Sequence, residues 1–376
     1  MTNPPYLPIF ELTRGTIVES IHYGAIAVMD SSGCLIASYG NPQTTTYLRS
    51  SAKPFQALPF IEQGGQELYG LSQAEIALIC ASHTGTDEHL EVLVRLQQKT
   101  GVSEADLLCG IHPPIDRQAE QALRERGEKP TPNRHNCSGK HTGMLAFARM
   151  LGAPTQNYLD PEHPVQQAIL QALAEMSGLR VDEIFVGIDG CSAPNFAVPL
   201  SNAALAVARL CDPEHAQPAL AATRKVACHK IFQAMTTYPV MVGGPTSFDT
   251  HLMSTAQGSV VSKGGAEGYQ ILGILPGAIA PDSPALGIAI KISDGDLKSH
   301  SRAVGDARGQ VRPAVALETL RQLGALSPQM LASLSEYGPS FPLHNWRKLL
   351  VGEARPRFQL EFQQQQHPAA GALPKK

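Results

Sequence analysis

The 376-residue sequence has no uninterrupted apolar run long enough to cross a bilayer, and Met1 to Phe10 lacks both a basic segment and an apolar core. The expectation is a cytosolic chain with no membrane partner. Basic residues never gather in a block: 30 Lys+Arg stand against 33 Asp+Glu, a net charge of −3, which argues against nucleic acid and anionic lipid as partners. Charged residues are only 17% and hydrophobic ones 43%, which excludes a disordered chain and supplies a core for one large domain or two ordinary ones. Cysteine is too sparse for a disulfide framework. The seven (Cys34, Cys80, Cys109, Cys137, Cys191, Cys211, Cys228) are odd in number and scattered, so reduced thiols are expected.

What the sequence does have is 33 glycines and 29 prolines, hence many loops, a composition that suits an enzyme. Ile17–Ile21, Gly24–Met29 and Cys34–Tyr39 read as strands around a Ser31-Ser32-Gly33 turn. The middle of the chain reads as helices. Ser72-Gln73-Ala74-Glu75 is a capping box, Asp87 caps a helix ending near Gly101, and Met144–Leu151, Pro164–Met176, Leu200–Leu210 and Leu220–Met235 follow. Glu183–Ile188 reads as a short buried strand. Strand character returns at Val260–Gly265, Tyr269–Leu275 and Leu286–Ile292, with short helices at Ala314–Leu323 and Met330–Leu334.

Strands at both ends and helices between predict an α+β fold: a mostly antiparallel sheet from about 1–49 and 236–357, with 50–235 as an inserted helical region. Residues 1–357 form one catalytic unit and 358–376 a flexible tail. The cleft is expected where sheet and helical region meet.

Two constellations carry chemistry. Ser50 and Lys53 stand three apart at a helix start, which puts hydroxyl and amine on one face. A lysine can serve as base there only if desolvation or a nearby cation lowers its pKa. Ser82 at a helix end and Lys263 on a strand before Gly264-Gly265 supply a second hydroxyl and amine, so the set forms a self-consistent acyl-transfer site. It partly matches the Ser-x-x-Lys, Ser-x-Asn, Lys-Thr-Gly set of penicillin-recognising enzymes; here the second element is Ser82-His83-Thr84 and the third Lys263-Gly264-Gly265. The other constellation is thiol-based: Cys137-Ser138-Gly139-Lys140-His141 and Asp189-Gly190-Cys191. Two thiolates with a nitrogen donor suit zinc, and spacing alone favours His141 as that donor. Two buried cysteines acting as small hydrophobes satisfy the same residues.

Ser50-Ser51-Ala52-Lys53-Pro54, Cys80-Ala81-Ser82-His83-Thr84-Gly85, Asn136 to Gly143, Gly187-Ile188-Asp189-Gly190-Cys191 and Val261-Ser262-Lys263-Gly264-Gly265 together resemble the rhizobial-type L-asparaginases, the third structural class of asparaginases. The likeness runs in order from about Gly15 to Leu350. It implies a serine β-lactamase and glutaminase-like fold, a homodimer, and hydrolysis of L-asparagine to L-aspartate and ammonia. By motif it implies Ser50 as nucleophile, Lys53 as its base, and Ser82 with Lys263 as a second Ser-Lys pair. It places zinc on Cys137, Lys140 and Cys191, completed by solvent, which replaces His141 with Lys140 as the nitrogen donor. Arg49, Asp189 and His141 are expected to contact substrate. The competing expectations are a related amidase, such as a glutaminase or a penicillin-recognising hydrolase, and a non-catalytic zinc-dependent binding protein.

Overall fold

The computed structural model describes residues 4–295 and 311–363. Its longest strand sorts side chains by parity. Ala25, Ala27 and Met29 enter one apolar cluster, while Ile26 and Val28 enter another on the opposite face. A strand with apolar residues at both parities must be covered twice. The sheet accordingly has helices on both sides.

The chain begins with three strands: β1 (Leu7–Arg14), β2 (Ile17–Asp30) and β3 (Leu35–Tyr39). A short β4 (Thr45–Tyr47) then leads through a 3₁₀ turn, Arg49–Ala52, into α1 (Lys53–Glu62) and α2 (Gly65–Tyr69). The helical layer continues with α3 (Gln73–Ile79), α4 (Asp87–Thr100), α5 (Arg117–Glu125), α6 (Ser138–Met150) and α7 (Pro164–Ser177). Strands β5 (Phe185–Ile188) and β6 (Pro194–Pro199) interrupt it before α8 (Leu200–Cys211), α9 (Ala222–Thr237), α10 (Pro239–Gly243) and α11 (Phe248–Thr255). The sheet resumes with β7 (Val260–Gly265), β8 (Tyr269–Ile274) and β9 (Leu286–Ile292). Helices α12 (Val311–Gln322) and α13 (Pro328–Ser333) precede β10 (Phe341–His344), β11 (Leu350–Pro356) and β12 (Glu361–Phe362).

The main sheet runs β10-β11-β1-β2-β9-β8-β7, with β3 joining β2 to β12, and every pair is antiparallel. Strands β4, β6 and β5 form a small separate antiparallel sheet. The expected α+β sheet drawn from both chain ends is therefore present. Helix α8 lies directly on it. A Cβ at Gly287 would fall 1.9 Å from the Ala204 carbonyl oxygen, so only glycine admits this contact.

Several boundaries differ from expectation. Strand β1 and the α10 and α11 pair lie outside the expected elements, while the sheet resumes at Val260 as expected. Thr86, not Asp87, caps α4, its hydroxyl accepting from the His89 N–H. Helix α6 starts at Ser138, six residues before Met144, because Gly139 and Gly143 face α3: a Cβ on Gly139 would meet Leu78 O at 2.3 Å. Strand β5 is exposed, with Ile188 84% accessible, because it is the uncovered edge of the small sheet. The chain stays in the fold past residue 357: Phe358 packs on Tyr39, Leu360 is buried and β12 pairs with β3. Residues 364–376 of the expected tail lie outside the described residues. Among the described residues no helix is long and apolar enough to cross a membrane.

Candidate active site

The 3₁₀ turn that carries Ser50 is entered through Arg49 at φ 51°, a left-handed conformation costly for a side chain with a Cβ. It is held from three sides. The Arg49 N–H donates to Asn195 Oδ1 at 3.1 Å, Arg49 Nε donates to Asp189 Oδ1 at 2.6 Å, and the buried Ser51 hydroxyl donates to Lys263 O at 2.9 Å. Ser50 is half-buried between these anchors, and Lys53 follows at the first position of α1.

Lys53 and Lys263 are 1% and 2% exposed, and both turn to one hydroxyl. Lys53 Nζ donates to Ser82 Oγ at 2.9 Å and also to Ala81 O; Lys263 Nζ donates to Ser82 Oγ at 3.1 Å and to Gly264 O at 2.7 Å. Ser82 itself is fixed by its N–H to Val242 O at 2.9 Å. Three of the four residues expected to be catalytic thus meet across the sheet–helix boundary. Ser50 shares a turn with Lys53, but no hydrogen bond joins its hydroxyl to either amine among the described residues. Burial pushes the Lys263 amine down to about 7; Lys53 and Arg312 push the same way, against Asp249 and Cys137. A lysine in that range is partly neutral near neutral pH and can accept a proton.

Cys137, Asp189 and Cys191 bring their ligand atoms within 4.8 Å of one another, and Lys140 Nζ lies 2.9 Å from Cys191 Sγ. The Cys191 thiol donates to Asp189 Oδ2 at 3.2 Å. The pairing with Cys191 holds the Cys137 thiol well below its ordinary value against burial, and the same pairing with burial pushes Cys191 up. Burial alone would lower the Lys140 amine, but the two sulfurs outweigh it and hold it up. Two sulfurs, a carboxylate and an amine make a compact soft-donor set that fits zinc; Lys140 would release its proton to bind.

Asp189 joins this cluster to the Ser50 turn through Arg49. Burial raises its carboxyl, but Arg49, Lys140 and Cys191 together hold it below the usual range. A cavity of about 420 Å³ opens beside the turn, lined by Thr46, Tyr47, Arg49, Ile188, Asn195 and Glu267. A larger one of about 780 Å³ lies among Thr13, Ser340 and Leu350, far along the sheet from the lysines, and brings no nucleophile together.

His141 does not line the cavity beside the turn. It is wholly buried behind Lys140, with Nδ1 2.7 Å from the Tyr158 hydroxyl, and burial with the charge of Lys140 keeps it neutral. Asn136, Asn195, Glu267 and Asp249 were not singled out from the sequence. Asn136 is the one with a visible signal, since it opens the Cys137 motif and its carbonyl accepts from Lys53 at 3.4 Å.

A family model described as L-asparaginase II matches residues 10–356, so the chain belongs to the L-asparaginase II family, a family of amidohydrolases. No curated protein sequence matches it. Among solved structures, it is similar to Mglu in its native form, at 13% identity over 82% of this chain and 67% of that one, with a TM-score of 0.41. It is also similar to a probable glutaminase from Bacillus subtilis complexed with 6-diazo-5-oxo-L-norleucine, at 13% identity over 80% and 83%, TM-score 0.37. A Bacillus glutaminase in 4.3 M NaCl gives 13% over 81% and 92%, TM-score 0.36.

Proposed function

We propose that the chain hydrolyses L-asparagine to L-aspartate and ammonia through an ester on Ser50. The observation that carries the reading is the shared Ser82 hydroxyl, which links two buried lysines beside the Ser50 turn. Ser50 Oγ attacks the side-chain amide carbonyl, and its proton passes into the Ser-Lys set, to Lys53 or by way of Ser82 to Lys263. The developing oxyanion needs backbone N–H donors near Ser50. The protonated lysine returns the proton to the amide nitrogen, which leaves as ammonia. Water then attacks the β-aspartyl ester, giving its proton back through the same groups to Ser50.

Arg49 suits the α-carboxylate of the substrate, and Asp189 with Glu267 suits its α-ammonium. Zinc held by Cys137, Lys140 and Cys191 would supply a fixed positive charge beside Asp189. The residues' own part is to hold the Asp189 loop against the Ser50 turn.

A second reading makes Ser82 the nucleophile, since its hydroxyl, unlike that of Ser50, is bonded to both amines. An ammonia-release assay on L-asparagine and L-glutamine, run for wild type, Ser50→Ala and Ser82→Ala, tests the proposal. Asparagine preference with loss in Ser50→Ala supports it. Retention in Ser50→Ala with complete loss in Ser82→Ala transfers the role.

A further inference from the structure

Lys263 lies on β7, the last strand of the main sheet, and an edge strand leaves alternate N–H groups without a strand partner. At Gly264 that N–H is taken by a carboxylate. Asp249, at the second position of α11, accepts it on Oδ2 at 2.7 Å. Oδ1 of the same carboxylate accepts the Ser262 hydroxyl at 2.6 Å and Gln270 Nε2 at 3.0 Å. One side chain therefore holds both sequence neighbours of Lys263.

The anchor is itself braced. Gln270, wholly buried on β8, also donates to Ser262 Oγ at 2.9 Å, and its Oε1 accepts from Arg312 on α12. A Cβ on Gly264 would lie 2.5 Å from Arg312 Nη1 and 3.3 Å from Asp249 Oδ2, so the bare glycine lets the network close on the strand. Buried polar networks of this kind fix geometry because each member is satisfied.

We infer that Asp249 is a positioning residue for Lys263, setting the reach of the lysine through Ser262 and Gly264 and placing a buried negative charge on the face of β7 opposite its side chain. The inference rests on the reading of Lys263 as part of the proton-transfer machinery. The groups that act on that amine are Asp249 from α11, Lys53 from α1, Arg312 from α12 and Cys137 ahead of α6. The Cys80 thiol at the end of α3 also senses it, but burial pushes that thiol up to about 12, so it carries no charge at neutral pH. Burial raises the Asp249 carboxyl, yet the charges of Lys263 and Arg312 and the bonds from Ser262 and Gly264 outweigh it and keep it ionised.

Asp249→Asn keeps the size and removes the charge, and it also turns one acceptor into a donor that faces either the Gly264 N–H or Ser262 and Gln270. With its counter-charge gone, Lys263 loses its proton more readily, so the limb of the kcat/KM–pH profile set by this amine moves to lower pH by about one unit. The direction is the same whether the lysine acts as base or as cation. Asp249→Glu retains the charge and is expected to keep the limb near its wild-type position while kcat falls. Ser262→Ala removes one anchor without touching charge and is expected to lower kcat several-fold with KM and the limb unmoved; it serves also if the Asn variant does not fold.

The experiment is a pH series of ammonia release from L-asparagine for the full chain and these variants, with thermal melting as the fold control. A folded Asp249→Asn protein with the wild-type limb, or Ser262→Ala with wild-type kcat, overturns the inference. Lys263→Met separates the two levels. Full turnover in Lys263→Met defeats the reading of Lys263, whereas loss there with an unmoved Asn limb defeats only the role of Asp249.

Discussion

Lys53 and Lys263 come from the helical layer and from the sheet edge, yet each donates to the Ser82 hydroxyl, at 2.9 and 3.1 Å. Two ammonium groups confined around one oxygen repel each other with little water to screen them. The arrangement is relieved when one of them gives up its proton, and burial with the charge of Lys53 lowers the Lys263 amine to about 7.

Replacing Ser82 with alanine removes the meeting point of the two amines without opening a large void. Ammonia release is expected to fall by about 10²–10⁴-fold, the usual scale for losing a positioned proton-transfer group. Ser50→Ala is expected to fall further, with no trapped acyl-enzyme by mass spectrometry. Both proteins should melt near the wild-type temperature; a rate within threefold of wild type for Ser50→Ala ends the mechanism proposed for it.

Lys263 contributes stability that rises with pH on the alkaline side, and it is read as the difference between wild type and Lys263→Met because buried thiols such as Cys80, pushed up to about 12, act in the opposite direction there. The amine of Lys263 is held near 7 in the folded chain, against about 10.4 when unfolded. Between those values the unfolded state binds more protons than the folded state, so unfolding free energy increases with pH, by at most about 1.4 kcal/mol per unit. Below about 7 this contribution is flat, because both states are protonated. Urea titrations at pH 7, 8 and 9 read the slope. Lys263→Met should make it less positive, and an identical slope in that variant contradicts the assignment.

Arg49 holds two positions at once, a left-handed backbone and the 2.6 Å pair with Asp189. Arg49→Ala removes the guanidinium and strands the half-buried carboxylate. KM for asparagine is expected to rise at least about tenfold, which corresponds to roughly 1.4 kcal/mol of lost binding. An unchanged KM with reduced kcat would instead place Arg49 in support of the turn alone.

The thiol cluster gives a metal prediction. Protein purified without chelator should contain zinc in equimolar amount, and Cys191→Ser should lose most of it. Losing the metal should also lower the urea midpoint, since a ligand bound only to the folded state stabilises it. Metal content measured by mass spectrometry at wild-type level in Cys191→Ser would rule out this set of ligands.

Gly287→Ala tests the packing of α8 on the sheet. The added methyl would meet backbone atoms, Ala204 O at 1.9 Å and Ala208 N at 2.4 Å, which no rotamer change relieves. A loss of about 1–3 kcal/mol is expected by chemical denaturation. Stability equal to wild type would mean that helix and sheet separate more easily than their contact suggests.

The parts of this structure legible in the sequence are those whose signals are local. Ser72 and Glu75 announced their capping box, and the β-branched runs of β7, β8 and β9 announced strands. Strand β1 carries Pro8 within it and follows Pro4 and Pro5, residues that weaken a strand signal. The start of α6 was hidden because Ser138-Gly139-Lys140 has poor helix propensity; close approach to α3 overrides that. The apolar run at β5 could not reveal that it lies exposed at the edge of the small sheet. In the site, Ser50, Lys53, Ser82 and Lys263 stood out by motif. Asp249 did not, since its value comes only from where α11 docks against β7.

The main sheet is stitched from strands at the two extremes of the polypeptide, with β1 bonded on one side to β2 and on the other to β11. During synthesis the amino-terminal hairpin must therefore wait, with one rim open, until most of the chain has left the ribosome. The meeting of Lys53 and Lys263 at Ser82 has its own timing, because it closes only once β7 has been made.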